Sequence, residues 1–274
     1  MITPFLRWAG GKRWLINEVN DLIRGYEFNN YYEPFLGSAA IFFNIKASFT
    51  KCYLNDINNE LILTYKQVKE NKGSVIKYLR QFPNEKDIYY DIRKKRFRSL
   101  SKKAAQFIYL NHTSYNGIYR VNSKGEYNVP FGYKKNYTID EESLNTCSEK
   151  LQNSVLSSGD FTCFIDQIQE GDLIFLDPPY TVSHNNNGFI EYNKNLFSLE
   201  DQIRLSEFID KIKEKKAYYI LTNAAHKKID EIFDKGDYKY ILNRSSTIGG
   251  RNAKRGQIEE YLFTNIKRRN SSDN

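Results

Sequence analysis

Cysteine and histidine are both scarce in this chain, with three of each in 274 residues. Cys52, Cys147 and Cys163 are odd in number and lack paired spacing, which argues against a disulfide framework and against a zinc site. The scattered histidines, His112, His184 and His226, weigh against a metal centre in the same way, so any catalysis is expected to run without a bound metal. No apolar run approaches the roughly 20 residues of a membrane helix, so no membrane association is expected. Met1-Ile2-Thr3-Pro4-Phe5-Leu6-Arg7 does not read as a signal peptide, because no long apolar stretch follows the basic residue. With no targeting signal, the cytoplasm is the expected location. No internal repeat is visible, and only residues 267–274 read as a disordered tail.

Negative charge is also in deficit. Asp and Glu number 33 against 41 Lys and Arg, a net charge of +8, which favours a polyanionic partner such as nucleic acid. Aromatic residues make up 15% of the chain and are interleaved with Lys and Arg, an arrangement that suits base stacking as well as core packing. The hydrophobic fraction of 40% is ordinary for a globular protein, and the length allows one or two domains with their own cores.

Apolar strand-like runs alternate with amphipathic helical ones, the pattern of an α/β sheet. Tyr31 to Phe35 reads as a strand entering a turn at Gly37, followed by a helix over Ala39 to Ala47. A second strand, Lys51 to Leu54, ends at Asn55-Asp56, and Asn58 to Glu70 is helical with Leu61, Ile62, Tyr65 and Val68 on one face. Residues 74–153 differ: helical stretches over Val75 to Arg80 and Asp87 to Phe97 carry many basic residues, and a third helical stretch covers Lys102 to Asn111. They lead through Tyr115-Asn116-Gly117 into a hairpin candidate, Ile118 to Asn122 and Glu126 to Phe131 around Ser123-Lys124-Gly125. This segment reads as a domain inserted into a sheet-forming domain made of residues 1–73 and 154–266.

The sheet resumes at Leu173-Ile174-Phe175-Leu176, an unbroken apolar run as expected of a central parallel strand. Thr181 to Asn195 is polar and reads as a mobile loop, and Thr247 to Gly256 as a flexible basic one. Between them come a helix (Leu199 to Lys213) and a strand (Ala217 to Leu221), with Tyr238 to Leu242 and Glu260 to Thr264 as a terminal pair of strands.

Two constellations carry chemistry. In Tyr32-Glu33-Pro34-Phe35-Leu36-Gly37-Ser38, Gly37 can turn sharply and let the backbone approach a ligand. Asp56 closes the next strand 19 residues on (56 − 37), and an acidic residue at about that distance commonly holds the ribose of a nucleotide-like cofactor. The alternative is a structural turn beside a surface aspartate. The second constellation is Asp177-Pro178-Pro179-Tyr180, at the carboxyl end of an apolar strand, where open α/β sheets bind ligands. Adenine's amine is a poor nucleophile because its lone pair is delocalised into the ring. The Asp177 carboxylate and the Pro178 carbonyl can each accept one of its N–H bonds, while Tyr180 offers a ring on which the base can stack. A rigid Pro-Pro turn with no catalytic role is the alternative.

Taken in order, Trp8-Ala9-Gly10-Gly11-Lys12, Glu33-Pro34-Phe35-Leu36-Gly37, Asn55-Asp56 and Asp177-Pro178-Pro179-Tyr180 resemble the motifs of the Dam-type DNA adenine-N6 methyltransferases over nearly the whole chain. The resemblance implies a Rossmann-like domain dependent on S-adenosylmethionine, interrupted by a mostly helical target-recognition domain carrying a β-hairpin. It implies cofactor contacts at Trp8, Lys12, Phe35, Gly37, Asp56, Phe161 and Asp177, and catalytic roles for Asp177, Pro178 and Tyr180. It also implies DNA contacts at Arg7, where a lysine is common, and at Tyr115, Asn116, Ile118, Arg120 and Pro130. Tyr115 resembles an intercalating aromatic, and Arg120 can present two donors to guanine O6 and N7. Phe189 and Tyr192, in the polar loop, are expected to close over a flipped base. Ala39 departs from the family's frequent second glycine. The recognition segment most resembles that of GATC-modifying enzymes, with longer sites beginning GAT close behind. Double-stranded DNA is then the expected partner, with no obligate protein partner and a functional monomer. The competing readings are an RNA adenine methyltransferase and a non-catalytic DNA-binding regulator.

Overall fold

A computed structural model describes residues 1–133, 137–180, 197–245 and 257–269. Among these, seven strands form one sheet: β1 (Asn30–Glu33), β2 (Lys51–Asp56), β3 (Ser154–Ser158), β4 (Leu173–Leu176), β5 (Tyr218–Ala224), β6 (Tyr238–Ser245) and β7 (Gln257–Thr264), in the order β3-β2-β1-β4-β5-β7-β6. β4 runs parallel to both neighbours, with Leu173 opposite Tyr31 of β1 and Leu176 opposite Leu221 of β5. β7 pairs antiparallel with β5 and with β6. This is a Rossmann-like mixed sheet closed by an antiparallel pair. All four residues of β4 are buried, which is why its sequence is apolar without alternation. The strand order reverses between β1 and β4, and ligands of open α/β sheets bind beyond the carboxyl ends of strands at such a point.

The helices are α1 (Ile16–Leu22), α2 (Ala40–Asn44), α3 (Asn59–Leu79), α4 (Lys86–Lys94), α5 (Leu100–Thr113), α6 (Glu141–Leu151), α7 (Leu199–Glu214) and α8 (Lys227–Phe233). By contacts the chain divides into two compact units. The first comprises Met1–Ile16, Leu36–Ile45 and Leu54–Gly159, the second Asn17–Phe35, Lys46–Tyr53 and Asp160–Asn274.

The first unit is built on α3, which packs against α5 and α6. Asn58 caps α3 by accepting the amides of Glu60 and Leu61, and Leu61, Ile62, Tyr65, Val68, Val75, Ile76 and Leu79 form its buried side. The sequence pattern breaks this helix into two, ending one at Glu70 and opening another at Val75. The structure agrees: the helical run is broken by a kink at Asn71 (φ −135°, ψ 33°), so α3 is two helical stretches joined end to end. Helix α6, capped by Asp140, was not foreseen, although Leu144, Cys147 and Leu151 lie at helical spacing.

The second unit holds most of the sheet. Its core joins Tyr32, Ile174, Leu176, Tyr219, Leu221 and Phe263 of the strands to Phe208 and Ile209 of α7, with Phe161 and Phe164 beside them. Helix α7 opens on a capping box formed by Ser198 and Asp201. The expectation of disorder from residue 267 needs correction for its first three residues. The Lys267 carbonyl accepts the Tyr26 hydroxyl (2.9 Å), Arg268 pairs with Glu18 (2.7 Å), and the Arg269 guanidinium lies over the Tyr26 ring (4.5 Å). Two basic side chains with an anion and an aromatic face in reach are held there. The rest of that tail, the loop over Thr181 to Asn195 and the basic loop over Thr247 to Gly256 lie outside the described residues.

Candidate active site

In the second unit, β4 ends at Leu176 and the chain continues into Asp177-Pro178-Pro179-Tyr180. The register that sets Leu176 opposite Leu221 puts Thr222 of β5 alongside Asp177. Thr222, buried, donates its hydroxyl to Asp177 Oδ1 at 2.8 Å. One carboxylate oxygen is thereby held from the neighbouring strand, while Asp177 keeps partial exposure. Pro178 is buried and Pro179 exposed. The Tyr180 hydroxyl donates to Glu260 Oε2 of β7 at 2.6 Å, and Glu260 in turn pairs with Arg244 of β6. Burial, then the negative charges of Asp177 and Glu260, push the Tyr180 phenol well above its usual pKa and keep it a protonated donor.

Beyond the carboxyl end of β1, Phe35 stacks on Phe161 (centroids 5.4 Å, planes 26° apart) and meets Phe197 edge-on at 5.6 Å. Phe161 is buried against Phe208 and carries the Arg204 guanidinium over its ring at 5.1 Å. Phe35 and Phe161, expected separately from the sequence, therefore share one aromatic wall.

The first unit carries the glycine turn. Gly37 is left-handed (φ +47°), and a Cβ there would lie 2.8 Å from Trp8 Cδ1, so the indole occupies space that only glycine leaves open. The Gly37 amide donates to Asp56 Oδ2 (3.0 Å), and its carbonyl accepts the Tyr65 hydroxyl (2.9 Å). Asp56 Oδ1 accepts the Asn58 amide (2.9 Å). Burial raises the Asp56 pKa, and these two amide bonds work against that rise. Asp56 thus fixes the turn itself, and a carboxylate with about four lone-pair sites can accept further donors. Trp8 also stacks on Tyr119 (5.6 Å). Lys12 is buried with its ammonium 3.2 Å from the Gly10 carbonyl. Ala39 is left-handed (φ 56°) with no exposed surface, a conformation that costs an L-residue about 1–2 kcal/mol and that a glycine would adopt freely. This is where the chain departs from the family's frequent glycine.

The same unit presents the segment that the sequence suggests for DNA contact. After α5 the chain makes one tight turn at Tyr115–Gly117, with Asn116 (φ 55°) and Gly117 (φ 65°) both left-handed. The foreseen hairpin is a loop closed by isolated bridges, Val121 to Tyr127 and Ser114 to Phe131, rather than by two regular strands. At its tip Asn122 Oδ1 accepts the Lys124 and Glu126 amides, side-chain bonds that compete with a ladder. Arg7, Tyr115, Asn116, Ile118, Arg120 and Pro130 are all exposed. Arg120 Nε donates to Asn128 Oδ1 at 2.8 Å and Nη2 to the Asn128 carbonyl at 3.4 Å, which steadies the guanidinium and leaves Nη1 to donate outward. Buried Asn111, unnoticed in the sequence, bonds both the amide (2.8 Å) and the carbonyl (2.7 Å) of Arg7. Its side-chain amide also reaches the Gly117 carbonyl at 3.3 Å, tying Arg7 to the turn. Its only sequence signal is a polar residue in the apolar run Phe107-Ile108-Tyr109-Leu110. Phe189 and Tyr192 lie outside the described residues.

The family model for D12 class N6 adenine-specific DNA methyltransferases matches residues 8–247. The chain belongs to this family. Among its curated relatives are the type II methyltransferase M1.LlaDCHI of Lactococcus lactis subsp. cremoris, 34% identical over 96% of this chain and 95% of the relative, and the type II methyltransferase M.MjaIII of Methanocaldococcus jannaschii, 35% identical over 81% and 84%. The DNA adenine methylase of Escherichia coli K12 is 30% identical over 94% of this chain and 93% of the relative. As a D12 adenine methyltransferase the protein is an enzyme that acts on DNA, and S-adenosylmethionine is its methyl donor. Among the described residues no helix is long and apolar enough to cross a membrane.

Proposed function

We propose that this D12 methyltransferase methylates adenine N6 within GATC in duplex DNA, acting as a monomer in the cytoplasm. The observation that carries the chemistry is Asp177, at the end of a buried parallel strand, with Oδ1 already bonded to Thr222. Its second oxygen and the Pro178 carbonyl accept the two N–H bonds of the target amine. That pulls the nitrogen lone pair out of conjugation and aims it at the donor. The adenine leaves the stack to reach these acceptors, because its amine is otherwise paired within the duplex. Tyr180 stacks on the extruded base.

The Gly37 turn fits the cofactor. Glycine lets the Trp8 indole close against the turn, and Asp56 at the strand end retains capacity to accept ribose hydroxyls. Trp8, Lys12, Phe35, Gly37, Asp56, Phe161 and Asp177 would hold S-adenosylmethionine, with Lys12 matched to its carboxylate. The bound cofactor supplies an electrophilic methyl group. Phe35 and Phe161 exclude water beside it.

Arg7, Tyr115, Asn116, Ile118, Arg120 and Pro130 are assigned to DNA, the exposed Tyr115 ring to insertion in the stack and Arg120 to a guanine edge. A two-fold site needs no dimer, because its strands can be methylated one at a time. Incubating the enzyme with labelled cofactor and duplexes carrying GATC or each single-base variant tests the assignment. Label confined to GATC is expected. Label that requires bases beyond GAT would replace GATC by a longer site, and label in structured RNA alone would overturn the DNA reading.

A further inference from the structure

Glu260 is almost fully buried, in the middle of β7, opposite Ala224 of β5 and Leu242 of β6. A carboxylate at such a position is costly unless paired and hydrogen-bonded. Here its two oxygens face different groups. Oε2 accepts the Tyr180 hydroxyl at 2.6 Å, and Oε1 accepts Arg244 Nε. Arg244 lies two residues beyond Leu242 on β6, so the antiparallel register delivers it diagonally to Glu260. The fold alone does not call for this arrangement, since apolar side chains of similar volume fill such a space at no greater cost. What the ion pair does instead is hold one end of an aromatic ring in the catalytic motif.

We propose that Glu260, held by Arg244, is the positioning residue that fixes where the Tyr180 ring stands in the site. The proposal rests on the reading of Tyr180 as the residue that stacks on the extruded adenine. The tyrosine hydroxyl lies at the far end of the ring's long axis, and a short charge-assisted bond there restricts the swing of that axis about the Cα–Cβ bond. The ring is then oriented before the base arrives, and the bond can be removed without removing the stacking surface.

The test is a double-mutant cycle on the full-length enzyme with Tyr180→Phe, Glu260→Gln and their combination, read as single-turnover methylation and as fluorescence of a duplex carrying 2-aminopurine at the target adenine, in the presence of S-adenosylhomocysteine. Each single variant is expected to lower the methylation rate roughly tenfold, the scale of a lost hydrogen bond to a charged group. Cofactor affinity should be unchanged, and the 2-aminopurine signal should be less quenched. The combined variant should be no slower than Tyr180→Phe alone. A further loss from Glu260→Gln in the Tyr180→Phe background equal to its loss in the wild type would overturn the proposal, because Glu260 would then act elsewhere. Should Glu260→Gln fail to fold, Tyr180→Phe decides alone: an undiminished rate and full quenching overturn the tether. Tyr180→Ala separates the underlying reading, since unchanged quenching in that variant would mean that the base stacks on another residue.

Discussion

Replacing Thr222 by valine removes one hydroxyl from the centre of the site while keeping the branched shape. In the folded enzyme that hydroxyl donates to Asp177 Oδ1 at 2.8 Å from a position with 1% exposure. A hydrogen bond to a charged acceptor is worth about 1.5–3 kcal/mol. Asp177 retains partial exposure, so water can replace part of what is lost and the lower end of the range applies. If the bond fixes the carboxylate for the target amine, about 1.4 kcal/mol of lost orientation corresponds to about a tenfold lower rate of methyl transfer. Rapid-quench single-turnover methylation of a GATC duplex isolates that step from product release. Thr222→Val should be roughly tenfold slow with unchanged cofactor affinity, and Thr222→Ser, which keeps the donor, should stay close to wild type. Valine and wild-type enzymes of equal rate would refute the idea that the neighbouring strand orients Asp177. Equal losses in both variants would point to packing instead.

Three further outcomes are expected. Lys12→Ala and Asp56→Ala should each weaken S-adenosylmethionine binding in calorimetric titration by roughly one to two orders of magnitude, the cost of a charge-assisted bond; unchanged affinity in both would place the cofactor elsewhere. Arg120→Ala should lower activity on GATC more than on sites altered at the base pair it reads, by about 1–3 kcal/mol of discrimination, and Asn128→Ala should do the same more weakly because it frees the guanidinium; a uniform loss with a shallower salt dependence would assign Arg120 to phosphate. The side-chain and backbone bonds from Ser143 hold the Asp140 carboxyl below its ordinary pKa at the start of α6. A depressed folded-state pKa gives stability that is present above the unfolded value, about 3.9, and lost as pH falls through the folded value. Thermal melts from pH 6 downward should therefore show a shallower acid decline in Asp140→Ala than in wild type.

The parts of the fold readable from sequence are those written in local pattern. Leu173 to Leu176 announces a doubly covered strand because every residue is apolar, and Gly37 announces a turn because the left-handed backbone and the indole of Trp8 leave no room for a Cβ. Strands β1, β2 and β5 fall within a few residues of where the apolar runs put them. What escaped is set by long-range register. The pairing of β6 with β7 was legible as a terminal pair, but nothing near Thr222, Glu260 or Arg244 in sequence indicates the registers of β4 with β5, and of β7 with β5 and β6, that gather all three around Asp177 and Tyr180. Asn111 escaped for a related reason, since the backbone groups it bonds at Arg7 lie 104 residues away. The break in α3 at Asn71 was legible because Asn71 and Gly73 are poor helix formers, and the kink falls where that local weakness puts it.

The most direct measurement is the chemical identity of the base that the wild-type enzyme and Asp177→Ala produce from a GATC duplex and S-adenosylmethionine. Nucleoside mass spectrometry should find N6-methyladenine with the wild type and none with the variant. The variant should still melt cooperatively and still bind the duplex, since phosphate contacts supply much of the affinity. A methylated cytosine, or N6-methyladenine formed at an undiminished rate by Asp177→Ala, would contradict the assignment of Asp177 as the residue that activates the amine.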